Sequence, residues 1–288
     1  MDLSKRIASS VLVALALVVS LTACGEDEPP APTGGGGEGT QPALIEEGRL
    51  IVGSDIPYPP FEFETKGGDL TGFDVEIVQA VAEEMGLENT EEDWVSTDFG
   101  TIFQQLASGT KFDVVVAAVT GYAPKGSPAD ETVADRRRVV DFTVPYYPSL
   151  QSLTVNTAEQ ADIKSVDDLP EGARVGVQRA TTGAFYAEEN LAPAGASLVS
   201  FEKAPLMYQQ LQAGQLDAVF NDLPISLDAI ENQPDLGVVE QVPTGEEYAI
   251  AVAKNNPALL EDLDAALKTV FENGTYAEIF DRYFPEQD

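Results

Sequence analysis

Two stretches of the sequence, QQLASGTKFDVVVA at residues 104–117 and QQLQAGQLDAVF at residues 209–220, share one pattern. Each reads as the end of a helix, a glycine that stops it, an aspartate and a short apolar strand. Because one copy lies in each half of the chain, we predict two α/β halves of similar build. Ligands of open α/β sheets bind beyond the carboxyl ends of the strands. The residues that follow these strands, Ala118 to Thr120 and Asn221-Asp222, are therefore candidate site residues.

Four positions of this repeat have predictable structural roles. Gly109 and Gly214 stand where a helix ends, and glycine readily adopts the left-handed conformation of a helix C-cap. Asp113 and Asp217 come just before an apolar strand, where an aspartate side chain commonly binds nearby backbone N–H groups. We predict that both aspartates are structural.

Short β-type runs alternate with amphipathic helical runs along the rest of the chain, which predicts an α/β fold with mostly parallel sheets. Apolar residues recur at helical spacing from Val75 to Met85, and Gly86 supplies a C-terminal stop. The final portion, 257–284, is predicted to form two helices separated at Asn273-Gly274.

The composition excludes several functions. With 288 residues, of which 43% are apolar, the chain can bury a large core. A formal net charge of -33 repels nucleic acid, so no nucleic-acid partner is expected. The sequence has no histidine and one cysteine. This rules out Ser-His-Asp and Cys-His catalysis, a His-ligated metal and an internal disulfide. We predict a non-catalytic protein without cofactor or metal.

The N-terminus reads as an export signal. Lys5 and Arg6 precede an apolar run too short to span a membrane comfortably, and small residues sit directly before Cys24. This arrangement resembles the lipobox of bacterial lipoproteins, the alternative being a stray cysteine in an ordinary signal peptide. We predict a signal peptide over 1–23, then an acylated cysteine and a flexible tether over 24–43, which is rich in Gly and Pro.

The repeat also predicts two lobes facing each other across a cleft. The chain would cross between them near FTVPYYPS at 142–149 and return near VPTGEEY at 242–248, because Pro and Gly punctuate loops and hinges. This divides the folded chain into a discontinuous lobe 1, 44–145 plus 246–288, and a lobe 2, 146–245.

Six ordered motifs resemble the extracellular solute-binding proteins of polar amino-acid ABC transporters, family 3. They are IVGSDIPYPPFEF (51–63), GFDVEIVQAVAEEMGL (72–87), DRRRVVDFTVPYY (135–147), VGVQRATTGAFYA (175–187), LDAVFND (216–222) and ENGTYAEIFDRYF (272–284). The resemblance implies the two-lobed type II periplasmic binding protein fold, with a hinge of two crossing segments. It also implies a monomeric receptor that takes up a free amino acid and delivers it to a membrane permease. With Cys24 lipidated, the protein would be exported and anchored to the outer face of the cell membrane.

A free amino acid brings a carboxylate and an ammonium, which call for a cation and an anion in its site. Arg136 matches the position that grips the carboxylate in this family, and Arg137 and Arg138 are expected at the surface. Asp222 matches the position that receives the ammonium; from the residues alone, it would cap the next helix. Thr181 and Thr182 open a predicted helix, where hydroxyls and backbone N–H groups can bind a carboxylate oxygen or simply cap the helix.

The remaining site residues would contact the ligand's side chain. Tyr58 and Phe99 match the family's aromatic sandwich. Asp55 matches a position that meets the distal end of the amino acid, where an anion favours an amide or a cationic head over an acidic one. Gln178 stands where some relatives have a lysine, which would leave this rim less basic. The ligands expected are therefore glutamine, arginine or lysine.

The sequence departs from the family at one threonine. Family members usually carry a threonine a few residues before the arginine, but here an extra stretch, GYAPKGSPADETVAD, separates Thr120 from Arg136. Both Thr120 and Thr132 can therefore fill this position. Thr120 is preferred because it follows a strand.

Two alternative functions stay open. The first is an exported enzyme on the same fold, of dehydratase or lyase type, in which Asp55, Glu62 or Asp222 would act as acid or base. The second is ferric-ion capture by the adjacent phenolates of Tyr146 and Tyr147, since hard oxygen ligands suit iron.

Overall fold

The structure, a computed structural model, describes residues 42–285. The predicted signal peptide, Cys24 and nearly all of the predicted tether lie outside these residues. In the part of the chain that the structure describes, no helix has both the length and the apolarity needed to cross a membrane.

Strands and helices alternate along most of this part. The strands are β1 Val52–Ser54, β2 Phe63–Glu64, β3 Leu70–Thr71, β4 Trp94–Ser96, β5 Val114–Val115, β6 Thr120–Tyr122, β7 Val140–Phe142, β8 Tyr147–Asn156, β9 Arg174–Gln178, β10 Ser197–Phe201, β11 Ala218–Asp222, β12 Leu236–Tyr248 and β13 Ala251–Ala253. The helices are α1 Phe73–Glu84, α2 Phe99–Ser108, α3 Pro128–Val139, α4 Thr182–Tyr186, α5 Ala204–Gln212, α6 Leu223–Asn232, α7 Pro257–Glu272 and α8 Thr275–Tyr283. A π-helical turn, Ala187–Leu191, extends α4.

The strands form two main sheets, as the two-lobed prediction requires. One sheet has the order β4-β1-β5-β13-β7, the other the order β10-β9-β11-β8-β12-β6, and β2 and β3 form a small hairpin. The prediction of mostly parallel sheets is wrong. Parallel pairing joins β1 to β4 and β5, and β9 to β10 and β11. Three strands, β8, β12 and β13, belong to the segments that cross or return between the halves. They pair antiparallel with their neighbours because they enter the sheets from the opposite end.

The repeat occupies equivalent places in the two sheets. α2 ends at Gly109, whose φ of 64° is left-handed, and the chain then enters β5. α5 is likewise followed by Gly214, with a φ of 68°, and by β11. The prediction for Gly109 is confirmed, since it is the C-cap residue of α2, whereas the C-cap residue of α5 is Ala213 and Gly214 follows it in the left-handed conformation. The helix predicted from Val75 is α1, and the two predicted C-terminal helices are α7 and α8, separated at Asn273-Gly274.

The two aspartates of the repeat accept hydrogen bonds from backbone N–H groups, as predicted. Asp113 is buried and accepts hydrogen bonds from the N–H groups of Ile45 (2.7 Å) and Ile51 (2.9 Å), one on each carboxylate oxygen. Asp217 accepts the N–H of Arg174 at 2.8 Å and pairs with its guanidinium. Each aspartate therefore ties the start of its strand to the segment beside it.

The Asp113→Asn variant is expected to lose about 1–3 kcal/mol of unfolding free energy, because an amide can accept only one of the two backbone hydrogen bonds and turns its NH₂ toward the other. Urea denaturation measures the loss. Asp162 is exposed, so Asp162→Asn is the control and should leave the midpoint unchanged. An unaltered midpoint for Asp113→Asn would contradict the structural role.

The two crossing segments lie side by side. β8 and β12 pair antiparallel, with Tyr147 opposite Tyr248 and Ser149 opposite Glu246. β6, which comes from the first half of the sequence, adds to the second sheet by pairing with β12. The fold is thus the two-lobed α/β fold with two crossing segments. The lobe boundaries 44–145 plus 246–288 and 146–245 stay a prediction.

Candidate ligand-binding site

All ten predicted ligand-binding residues line one cavity. Its volume free of protein atoms is about 310 Å³, of which only about 10 Å³ admits the centre of a water-sized sphere. The lining residues are Asp55, Tyr58, Phe99, Ala117, Ala118, Thr120, Arg136, Gln178, Thr181, Thr182 and Asp222. The cavity is narrow, so a ligand the size of an amino acid enters only if the two sheets move apart.

The topology explains why residues so distant in sequence meet here. Asp55 follows β1, Ala118 follows β5, and Gln178 and Asp222 end β9 and β11. The carboxyl ends of these strands point to the same cleft, as the strand-end rule requires. The site therefore draws on both sheets.

Arg136 supplies a buried cation. It lies on α3, is 7% exposed, and donates to the main-chain oxygens of Thr120 (2.8 Å) and Ala180 (3.4 Å). Its guanidinium stands 5.4 Å from the ring centre of Phe99 and 5.2 Å from that of Phe103. Burial lowers the pKa of Arg136 to about 10, which still leaves it charged at neutral pH.

This cation lacks an ion-pair partner. Within residues 42–285, no carboxylate oxygen lies within 4.0 Å of a nitrogen of Arg136. The guanidinium has N–H donors beyond the two that bind main-chain oxygens. A buried charge without a partner costs folding free energy, so Arg136 is suited to receive an anion from a ligand.

The neighbouring arginines differ from each other. Arg138 is exposed, as predicted, and pairs with Asp135. Arg137 was expected at the surface but is half-buried, because its guanidinium donates to the main-chain oxygen of Gly121 and lies over the rings of Tyr122 and Phe142.

Asp222 supplies the opposite charge. Its carboxylate accepts hydrogen bonds from the hydroxyls of Tyr58 (2.8 Å) and Tyr248 (2.7 Å) and from Nε2 of Gln151 (2.5 Å). Burial, followed by the charge of Glu246, raises the pKa of Asp222 to about 6. The alternative that Asp222 caps the next helix is wrong, since its side chain makes no capping hydrogen bond to α6.

Sequence reasoning missed Glu246, which lies behind the cavity. Its carboxylate accepts the hydroxyls of Thr120 (2.7 Å) and Thr182 (2.6 Å) and Nε2 of Gln151 (3.2 Å). The end of β12 alternates buried and exposed residues, which puts Glu246 on the same buried face as Tyr248. The sequence of this segment, VPTGEEY at 242–248, shows no apolar alternation that would have indicated it.

The three predicted threonines are placed as follows. Thr120 lines the cavity, whereas Thr132 lines a neighbouring one whose volume free of protein atoms is about 800 Å³. Thr181 caps α4 by accepting the N–H of Ala184 at 3.1 Å, so the capping prediction is confirmed. Thr182, in the first turn, directs its hydroxyl to Glu246.

A pair of buried carboxyl groups supports the wall of the cavity. Ala118 has a left-handed φ of 47°, and its N–H donates to Asp74 at 2.9 Å. Burial raises the pKa of Asp74 to about 6. Burial, then the charge of Asp74, raises the pKa of Glu62 well above its usual range. Glu62 does not line the cavity.

The two tyrosines proposed for iron have other contacts. The Tyr146 hydroxyl donates to Asp74 at 2.8 Å, and the Tyr147 ring packs against Phe61 and Phe284. Burial raises the pKa of both hydroxyls, which disfavours the phenolate form that iron requires. No group of three or more Cys, Asp or Glu able to hold a metal occurs within the described residues.

Asp55 marks the distal end of the cavity and is 2% exposed. Its carboxylate accepts Nε2 of Gln178 at 2.6 Å and the ammonium of Lys203. Gln178 adds no charge to this rim, as expected from its side chain, but Lys203, which sequence reasoning missed, supplies a cation here.

These features define a hinged solute-binding protein: two sheets connected by crossing segments, and a polar cavity at the ends of the strands. The chain belongs to the bacterial extracellular solute-binding proteins, family 3, which it matches over residues 50–286.

Named relatives and solved structures agree with this membership. The chain is 29% identical to a probable histidine-binding protein of Neisseria gonorrhoeae over 292 residues, which cover 100% of this chain and 98% of that protein. An ancestral arginine-binding protein bound to arginine has a TM-score of 0.73 and 32% identity, covering 82% of this chain and 98% of that one. An ancestral amino acid-binding protein, a precursor of cyclohexadienyl dehydratase, has a TM-score of 0.69 and 31% identity. The match covers 82% of this chain and 95% of that one.

Proposed function

We propose that this protein captures a free polar or cationic amino acid, of the glutamine, arginine or lysine class, between its two lobes and delivers it to the permease of an ABC importer. One observation carries the proposal. The buried guanidinium of Arg136, which has no carboxylate partner among residues 42–285, lines the same cavity as the buried carboxylate of Asp222.

The binding mode follows from the chemistry of these groups. Arg136 grips the α-carboxylate with its planar fork, while Asp222 receives the α-ammonium. Thr181 and Thr182 at the start of α4 direct backbone N–H groups toward the carboxylate, and Tyr58 and Phe99 cover the side chain. The lobes open to admit the ligand and close on it through the crossing segments β8 and β12.

The charges around the cavity disfavour an acidic amino acid. Three carboxylates, of Asp55, Asp222 and Glu246, face two cations, Arg136 and Lys203. A further carboxylate would add to this excess negative charge in a poorly hydrated space.

The same proposal includes export and anchoring. A lipid on Cys24 would hold the protein, as a monomer, at the outer face of the cell membrane, with residues 24–43 as a tether that lets the folded part reach the permease. The sequence before Cys24 supports this. Cys24→Ala should release the protein from membranes in a cell fractionation, whereas unchanged membrane attachment would contradict lipidation.

A binding panel tests the function. Isothermal titration of residues 42–288 with the common amino acids should show saturable binding of at least one polar or cationic member at about micromolar Kd, which corresponds to about -8 kcal/mol. Each mixture is also analysed for product. Turnover would favour the exported dehydratase or lyase, a possibility supported by the ancestral neighbour that preceded cyclohexadienyl dehydratase. The absence of any binding would remove the proposal.

Binding should weaken as the pH falls below about 6. The pKa of Asp222 is about 6 without ligand, and a protonated Asp222 has no charge to offer the ligand's ammonium. Affinity should stay constant above that pH and fall by up to about tenfold per pH unit below it. Titrations from neutral pH to about pH 5 measure this. In Asp222→Asn, the weaker affinity that remains should no longer depend on pH over this range. Affinity that rises on acidification would contradict the assignment.

A further inference from the structure

An ion pair lies at the distal end of the cavity, between the lining residue Asp55 and Lys203 just outside the lining. Lys203 lies beyond β10, in the half that contains the second sheet, and Asp55 follows β1 of the first sheet. The ammonium of Lys203 binds Oδ1 of Asp55 and also donates to the main-chain oxygen of Ile56 at 3.0 Å. The side chain of Lys203 is 30% exposed and that of Asp55 is 3% exposed. Lys203 therefore covers Asp55 from the solvent side.

The position of Lys203 is not explained by the helix it precedes. It is the N-cap residue of α5 and makes no side-chain capping hydrogen bond. A cation at a helix N-terminus is electrostatically unfavourable, because that end of the helix dipole is positive. The side chain instead reaches across the cleft to two acceptors of the other half.

Both oxygens of Asp55 are used in this arrangement. Gln178 donates to Oδ2 at 2.6 Å while Lys203 holds Oδ1. An arginine or lysine head that approached Asp55 would meet the ammonium of Lys203 at short range, in a space with little water to screen the repulsion. A cationic ligand must therefore expel Lys203 from a carboxylate that it already neutralises.

A carboxamide fits the same group of atoms. Its oxygen can accept from Lys203 or Gln178, and its NH₂ can donate to Asp55. The excess negative charge of the site lies at the other end, where Asp222 and Glu246 face Arg136 and the ligand's ammonium is expected. At the distal end, the charges of Asp55 and Lys203 balance each other.

We propose that Lys203 is a specificity-determining residue, which makes the distal end of the cavity select an uncharged amide side chain, that of glutamine, over the cationic side chains of arginine and lysine. This inference rests on the proposed function and narrows its ligand class.

The test compares L-glutamine, L-arginine and L-lysine by isothermal titration with the wild-type protein and with Lys203→Met, which keeps most of the apolar stem and removes the charge. The wild type should bind glutamine at least about tenfold more tightly than arginine or lysine. In Lys203→Met, the affinity for arginine should rise by at least about tenfold, and the preference for glutamine should disappear. Lys203→Arg should keep the wild-type order, because it keeps the cation.

Lys66→Met is the matched control, since Lys66 is exposed on the turn between β2 and β3 and its loss changes the net charge equally. It should leave all three affinities unchanged. A thermal melt checks that each variant is folded, and Lys203→Gln replaces Lys203→Met if the latter is not.

The outcomes separate this inference from the proposed function. A wild type that binds arginine or lysine as tightly as glutamine overturns the role of Lys203, and so does a neutral variant with an unchanged preference; in both cases the amino-acid receptor stands. A folded wild type that binds none of the common amino acids overturns the proposed function and the inference together.

Discussion

Arg136→Ala is expected to weaken the binding of the amino acid by about a thousandfold, which corresponds to about 4 kcal/mol. The guanidinium has no carboxylate within 4.0 Å among residues 42–285, so a bound carboxylate would be its ion-pair partner. The substitution leaves that carboxylate buried without a cation, and Lys203 cannot replace it because it is held by Asp55 at the distal end of the cavity. Isothermal titration with the best ligand of the panel measures the loss.

The fold should survive this substitution. Among residues 42–285, Arg136 donates only to the main-chain oxygens of Thr120 and Ala180, and its guanidinium lies over the rings of Phe99 and Phe103. Removing a buried, unpaired charge offsets the loss of those contacts. Its melting temperature should therefore stay close to that of the wild type.

Two further arginine variants complete the test. Arg136→Lys keeps the charge but not the planar fork, so at least about a tenfold loss should remain. Arg138→Ala removes the same charge two residues along α3, where the side chain is 76% exposed, and should leave affinity unchanged. Equal losses for Arg136→Ala and Arg138→Ala would mean that net charge, and not the fork, governs binding.

The meeting of Arg136 and Asp222 in one cavity was predictable from the sequence for a physical reason. Asp222 ends a buried strand of the repeat, and parallel strands bring their carboxyl ends to the same edge of a sheet. Arg136 lies in a motif that the sequence shares with its family. The strand pattern was therefore enough to place Asp222 at the site, and the family motif was enough to place Arg136 there.

Glu246 and Lys203 were not predictable in the same way. Glu246 lies on β12, whose pairing with β8 and β6 joins segments far apart in the sequence. Lys203 reaches Asp55 across 148 residues of sequence. Neither stands in a motif with its own chemistry, and a glutamate in a hinge or a lysine before a helix ordinarily reads as solvent-exposed.

The direction of the returning strands escaped prediction for a related reason. The apolar runs of β8 and β13 are compatible with parallel or antiparallel pairing, because residue composition does not record strand direction. Direction is decided by where the chain crosses between the halves. The crossing points at 142–149 and 242–248 are visible in the sequence, but the direction of β8, β12 and β13 depends on the three-dimensional path of the chain between them.

Asp222→Asn should separate ligand binding from folding, because the two effects have opposite signs. Binding should weaken by at least about a hundredfold, since the ligand's ammonium loses its buried counter-charge. Stability near neutral pH should be equal to that of the wild type or higher. The pKa of Asp222, raised to about 6 from 3.8, means that the folded state binds this proton more tightly than the unfolded state does. The ionised group therefore destabilises the fold, and this cost appears as the pH rises from about 4 to about 6 and persists above it.

The hydrogen bonds around Asp222 can adapt to an amide. The Tyr58 and Tyr248 hydroxyls both donate to Oδ2, a position that the amide oxygen can take. Gln151 donates Nε2 to Oδ1, while its own Oε1 has no hydrogen-bond partner within the described part of the chain. If the Gln151 side chain turns over, Oε1 accepts the NH₂ of the new amide. The hydrogen bond lost is that of Nε2 to Glu246 at 3.2 Å, and the removal of a buried charge offsets it.

Asp113→Asn provides the reciprocal control, since Asp113 is also a buried aspartate but binds two backbone N–H groups away from the cavity. It should lose stability and keep its affinity for the amino acid, whereas Asp222→Asn should lose affinity and keep its stability. Urea denaturation and isothermal titration of both variants give the four values needed. If Asp222→Asn lost stability while binding the ligand normally, Asp222 would be a structural residue like Asp113. Only the predicted combination marks a carboxylate that is retained at a cost to the fold for the sake of a bound cation.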